Sequence, residues 1–132
     1  MKTILFVNDS PFICDVYSCI LERDGYRPIV AYGGEECLEI LKKTIPDLIF
    51  IDVRMEFGID GWETLEEIKT NPATTDIPVI MCSGSQLNKR ESIFMEDWLT
   101  LPVSHNELLD VLEKVFNRQE KSKENPASHL KE

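Results

Sequence analysis

Apolar residues in this chain fall into short unbroken runs, separated by stretches in which they recur every three or four positions. The clearest runs are Ile4-Leu5-Phe6-Val7, Leu48-Ile49-Phe50-Ile51 and Ile77-Pro78-Val79-Ile80-Met81-Cys82, as expected of strands covered on both faces. Shorter candidates at Arg27 to Ala31 and at Trp98-Leu99 bring the predicted strands to five. After the first, Phe12, Ile13, Val16, Tyr17, Ile20 and Leu21 keep helical spacing behind the cap candidates Asn8-Asp9-Ser10 and Pro11. Gly25 suits a left-handed stop to that helix. Cys37, Leu38, Ile40 and Leu41 mark a second helix after Gly33-Gly34. Trp62, Leu65 and Ile68 mark a third, ending near Asn71-Pro72. A weaker helical stretch covers about Gln86 to Met95. A last helix starts at the capping box Ser104 to Glu107 and carries Leu108, Leu109, Leu112, Val115 and Phe116.

Strands alternating with helices imply a (βα)5 α/β chain: a parallel sheet with helices on both faces and right-handed connections. In such sheets ligands bind beyond the carboxyl ends of the strands. With 132 residues the chain fits one domain. That domain is expected over residues 1–118. The polar residues 119–132 are read as a disordered tail.

Hydrophobic residues make up 42% of the chain, enough for a real core at this size. A formal net charge of −10 repels phosphate backbones, which argues against nucleic acid as a partner. No apolar run is long enough to cross a bilayer. The opening Met1 to Val7 is too short for a signal peptide, so a cytoplasmic location is the expectation. Cysteines at 14, 19, 37 and 82 form no CxxC pair and have no histidine at zinc-ligand spacing; all four are read as free, buried thiols. No dinucleotide fingerprint or phosphate-binding loop follows the first strand.

Polar groups close three of the strands: Asn8-Asp9, Asp52 and Ser83. Taken singly, each has a plain reading. Asp9 or Ser10 can cap the first helix, Asp52 can satisfy a turn, and Ser83 can bond a backbone carbonyl. Together, at neighbouring strand ends, they would converge on one edge. Two carboxylates held there repel each other, and a hard cation with oxygen ligands relieves the repulsion. A carboxylate beside such a cation can attack phosphorus, because the metal offsets charge on the incoming group.

In these segments the sequence resembles the response-regulator receiver family. The matching stretches are ILFVNDS, LERDGY, PDLIFIDVRM, DGWETLEEIK, IPVIMCSG and LPVS, spread from about Lys2 to Phe116. The resemblance implies a doubly wound, flavodoxin-like sheet of five parallel strands in the order 2-1-3-4-5. It also implies that Asp52 accepts a phosphoryl group from a histidine kinase or phosphotransfer protein. Asp9, Asp52 and the Arg54 backbone carbonyl would hold Mg2+, with Asn8 acting through a water. Ser83 would contact the phosphoryl group, and Trp98 stands at the switching aromatic's position. Three departures weaken this pattern. Asn8 replaces a second acid, Leu101 replaces the lysine that pairs with the phosphoryl oxygens, and the loop after Asp52 has Glu56 where proline is common and is one residue longer.

The leading expectation is therefore a receiver with a partly degenerate site. The alternatives are a pseudo-receiver that signals without phosphorylation and a Mg2+-dependent aspartyl-phosphate hydrolase; Arg54 stands where the hydrolase would need an acid. No output domain follows Phe116, so the chain is expected to be a stand-alone receiver or a piece of a longer protein. A homodimer is compatible with the sequence.

Overall fold

The structure, a computed structural model, describes residues 1–85 and 92–124, the last three as backbone only. The elements run β1 (Thr3–Val7), α1 (Pro11–Arg23), β2 (Arg27–Ala31), α2 (Gly34–Leu41), β3 (Leu48–Asp52), α3 (Gly61–Thr70), β4 (Val79–Ser83), β5 (Asp97–Thr100) and α4 (His105–Glu124). The five strands form one parallel sheet in the order β2-β1-β3-β4-β5. This is the doubly wound order expected from the sequence.

The chain divides into two compact units, Met1–Leu101 and Pro102 onward. In the first, alternation along the strands splits the core into two layers. Leu5, Val7, Ile49, Ile51, Val79 and Met81 join Cys37, Leu41, Leu65 and Ile68 from α2 and α3 in one cluster. On the other face, Phe6 stacks on Tyr17 of α1 and meets Phe50 of β3, with ring centroids 5.4 and 5.8 Å apart. Truncating a fully buried ring such as Phe50 to alanine costs roughly 3–5 kcal/mol. In the second unit, α4 carries a buried stripe of Leu108, Leu112 and Val115, and the Ser104 hydroxyl accepts the Glu107 N–H at 3.1 Å.

Local chemistry sets where the helices begin. Ser10 caps α1 by accepting the Ile13 N–H at 3.3 Å, and Pro11 follows at the first turn, where its missing N–H costs nothing. Asp60 and Glu63 form a reciprocal capping box at the start of α3. Gly25 ends α1 at φ +87°.

The structure refines several of these expectations. Phe12 is 75% exposed and Val16 is exposed; of the expected stripe α1 buries Tyr17 and Leu21, and Cys14 joins them. Six apolar residues in ten positions are more than one stripe can cover, and the tertiary fit selects among them. Cys19 is exposed, whereas the other three thiols are buried. Of the stretch from Gln86 to Met95, residues 86–91 lie outside the described residues and Ser92 to Met95 form a turn, so four helices are present among the described residues. Finally, α4 continues past residue 118 to Glu124, while 125–132 lie outside the described residues. Among the described residues, no helix is long and apolar enough to cross a membrane.

Candidate functional site

The carboxyl ends of β1, β3, β4 and β5 lie side by side, because the sheet pairs Val7 with Ile51, Asp52 with Cys82, and Ser83 with Thr100. One residue beyond the first of these pairings come Asn8, then Asp9. The fold thus brings together the polar strand ends singled out in the sequence.

Each of these residues is held differently. Asn8 is only 3% exposed; its side-chain oxygen accepts the Ser10 N–H at 2.9 Å, and its backbone carbonyl accepts the Cys14 thiol. Because Ser10 caps α1, Asp9 is left for another role. Its Oδ2 accepts the main-chain N–H of Glu56 at 2.8 Å, from the loop between β3 and α3. Asp52 is half-buried, and its carboxyl is pushed up to about 6. Burial is the main cause and the negative charge of Asp9 the second; bonds from the main chain of Arg54 and Val53 and the Arg54 guanidinium pull the other way. The Asp9 charge acts on Asp52, and two carboxylates placed this way form a donor set that a hard divalent cation fits. Asn8 supplies no third acid. Among the described residues no group of three or more histidine, cysteine, aspartate or glutamate side chains could hold a metal ion.

Ser83 is 2% exposed; its hydroxyl accepts the Ser85 N–H at 3.2 Å and its carbonyl accepts the Leu101 N–H at 2.7 Å. Leu101 is 8% exposed, an apolar side chain at the end of β5 where the resemblance calls for a cation. Beneath the site, Cys82 is fully buried and its thiol is raised well above the ordinary value by burial and by Asp52. It stays protonated and inert.

Three features of this edge escaped the sequence reading. Gly61 starts α3 pressed against the backbone of Asp52 and Val53, and its N–H bonds the Val53 carbonyl at 2.9 Å; any side chain there would collide with the end of β3. Trp98 stacks on Trp62 of α3, with centroids 6.3 Å apart and planes 18° from parallel, while its indole N–H donates to Thr100 Oγ1 at 3.1 Å. They are the chain's two tryptophans, which was the available signal. Glu35, at the start of α2, accepts the Ile59 N–H with both oxygens at 3.1 Å. A groove of about 740 Å³ between α2 and α3 is lined by Glu35, Leu38, Leu41, Ile45, Thr70 and Ala73 among others, and none of Asn8, Asp9, Asp52 or Ser83 lines it.

Comparison with known proteins agrees with the fold. The profile of the family described as response regulator receiver domain matches residues 4–113. The phosphate regulon transcriptional regulatory protein PhoB of Pseudomonas aeruginosa is 32% identical over 121 residues, covering 89% of this chain and 52% of that protein. The chain thus spans about half the length of PhoB and of comparable curated relatives. Among solved structures, the N-terminal domain of a response regulator receiver protein from Methanoculleus marisnigri is 48% identical with a TM-score of 0.69, over 87% of this chain and 96% of that one. The response regulator protein TrrA from Thermotoga maritima, solved in complex with Mg2+ and BeF, is 28% identical with a TM-score of 0.79, over 86% and 98%.

Proposed function

The chain belongs to the response-regulator receiver domain family, and from that premise we propose that Asp52 accepts a phosphoryl group from a histidine kinase or phosphotransfer protein. The observation that carries this reading is the half-buried Asp52 carboxylate, held beside Asp9 and exposed to its charge at the carboxyl edge of the sheet. At neutral pH, above its raised value of about 6, Asp52 is mainly ionised and nucleophilic. One Asp52 oxygen attacks the phosphorus of the donor. The bond from phosphorus to the donor's nitrogen or oxygen breaks, an acyl phosphate forms, and the leaving group takes a proton from solvent.

Asp9, Asp52 and the Arg54 carbonyl would hold Mg2+, and Asn8 would reach it only through water. When bound, the cation offsets the charge of two carboxylates and the incoming phosphoryl oxygens. Ser83, buried at the adjacent strand end, is the side chain suited to bond a phosphoryl oxygen. Incubation with a small phosphodonor and Mg2+ should add one phosphoryl group to the intact protein, and Asp52→Asn should abolish the addition. An unmodified wild-type mass after prolonged incubation would overturn the proposal.

A second reading, an interaction module that works without phosphorylation, is favoured by one observation: Leu101 is buried and uncharged at the strand end beside Ser83. The two readings separate on tryptophan fluorescence, since Trp98 and Trp62 stack next to the site. A saturable change with Mg2+ and a phosphoryl mimic supports the first reading, and a flat response supports the second.

A further inference from the structure

Resting on the reading of Asp9 as a cation ligand, we propose that the Glu56 main-chain N–H is a built-in counter-charge for Asp9 that competes with a divalent cation and lowers the site's affinity for it. The loop that delivers this N–H is held at two points, both carboxylate-to-amide bonds. Asp9 Oδ2 accepts from Glu56 at 2.8 Å, and Glu35 accepts from Ile59 through both oxygens at 3.1 Å. Between them, Gly58 adopts φ +77°, and a side chain there would run into the Glu35 carboxylate. Phe57 at the crest is 80% exposed, so apolar packing of the crest does not hold the loop down.

The N–H exists because residue 56 is not proline. Proline, the residue the family resemblance puts here, has no donor to give. An N–H aimed at a carboxylate oxygen withdraws part of its negative charge and takes up a lone pair. A cation approaching Asp9 then meets a weaker and partly occupied ligand. Two departures thus act in the same direction: Asn8 removes one negative charge from the edge, and the Glu56 N–H damps a second. The cation-free site is thereby less repulsive, and the cation is attracted less. Glu56 acts here through its backbone alone; its side chain is exposed and plays no part.

Two substitutions separate backbone from side chain. Glu56→Pro removes the N–H, and Glu56→Ala keeps it. Mg2+ binding is measured on the full chain by calorimetry, together with the Glu56 amide resonance in the wild type and thermal unfolding of each variant. Glu56→Pro should bind Mg2+ about fivefold tighter than wild type, the effect of one partly exposed charged hydrogen bond. Glu56→Ala should stay within about twofold of wild type. Saturating Mg2+ should shift the wild-type Glu56 amide proton upfield and speed its exchange. Unchanged or weaker binding by Glu56→Pro overturns the proposal, since the N–H would then orient Asp9 rather than compete for it. So does equal tightening by Glu56→Ala. Absence of Mg2+ binding in all three folded proteins overturns the cation reading itself, and the competition with it.

Discussion

At the scale of single residues, Asp52 carries a measurable burden. Its carboxyl is raised from 3.8 to about 6, first by burial and second by Asp9. The folded protein therefore holds this proton more tightly than the unfolded chain. Its stabilising effect is full below about pH 4 and is lost as pH rises through about 6, leaving an ionised group that opposes folding at neutral pH. Asp52→Asn is never ionised. In chelator at pH 7 it should be more stable than wild type by roughly 1–2 kcal/mol, less than the whole shift implies because the group is partly exposed. The gain should shrink to near zero at about pH 4, and denaturant midpoints across that range check both the size and the sign. Leu101 makes the complementary case. Leu101→Lys places an ammonium at the end of β5, and the rate of phosphorylation by a small donor should rise about tenfold. Burying part of the lysine stem should cost about 1 kcal/mol of stability. A faster reaction in a less stable protein is the expected signature, read from intact mass over time and from thermal unfolding.

At the scale of elements, the loop between β3 and α3 depends on α2. Glu35→Ala removes the acceptor that holds the Ile59 N–H. Amide exchange at residues 57–59 should accelerate about tenfold, with a global cost near 1 kcal/mol. Gly58→Ala forces a side chain into the left-handed region and against Glu35, and should cost about 1–2 kcal/mol. Equal unfolding midpoints for Gly58→Ala and wild type would show that the loop rearranges freely. This loop is also where sequence reading stopped. The strands were legible because a strand buried on both faces must be apolar throughout, and the runs at β1 and β3 stand out for that reason. Ile77-Pro78 reads as part of β4, yet the strand starts at Val79, because Pro78 offers only its carbonyl, to Ile49 at 3.0 Å. The convergence of Asp9, Asp52 and Ser83 was legible because their order along the sheet follows from topology. The Asp9 bond to Glu56 was not, because its donor is a main-chain N–H that any residue but proline carries, 47 positions away. The shared role of Trp62 and Trp98 was hidden in the same way: one belongs to a helix stripe and the other to a strand, and only packing stacks them.

At the scale of the whole molecule, a charge of −10 sets a background against which any specific cation effect has to be read. Acidic self-repulsion weakens the compact state, and any salt screens it gradually. A cation seated between Asp9 and Asp52 acts differently, by mass action on the folded form alone. Sodium chloride should therefore raise the unfolding temperature smoothly, without saturation at the low concentrations where a site would fill. Mg2+ at matched ionic strength should add a saturable gain, reaching roughly 2–3 kcal/mol at one hundred times its dissociation constant. For a domain of this size that is on the order of 5–10 °C. Asp9→Ala should abolish the saturable part and leave the smooth salt response intact, because one charge in ten hardly alters the overall field while it removes half the carboxylate pair. Thermal unfolding of both proteins in sodium and magnesium series distinguishes the two origins. If Asp9→Ala retains the full Mg2+ gain, the cation is stabilising the acidic surface at large, and the paired carboxylates at the strand ends have no special claim on it.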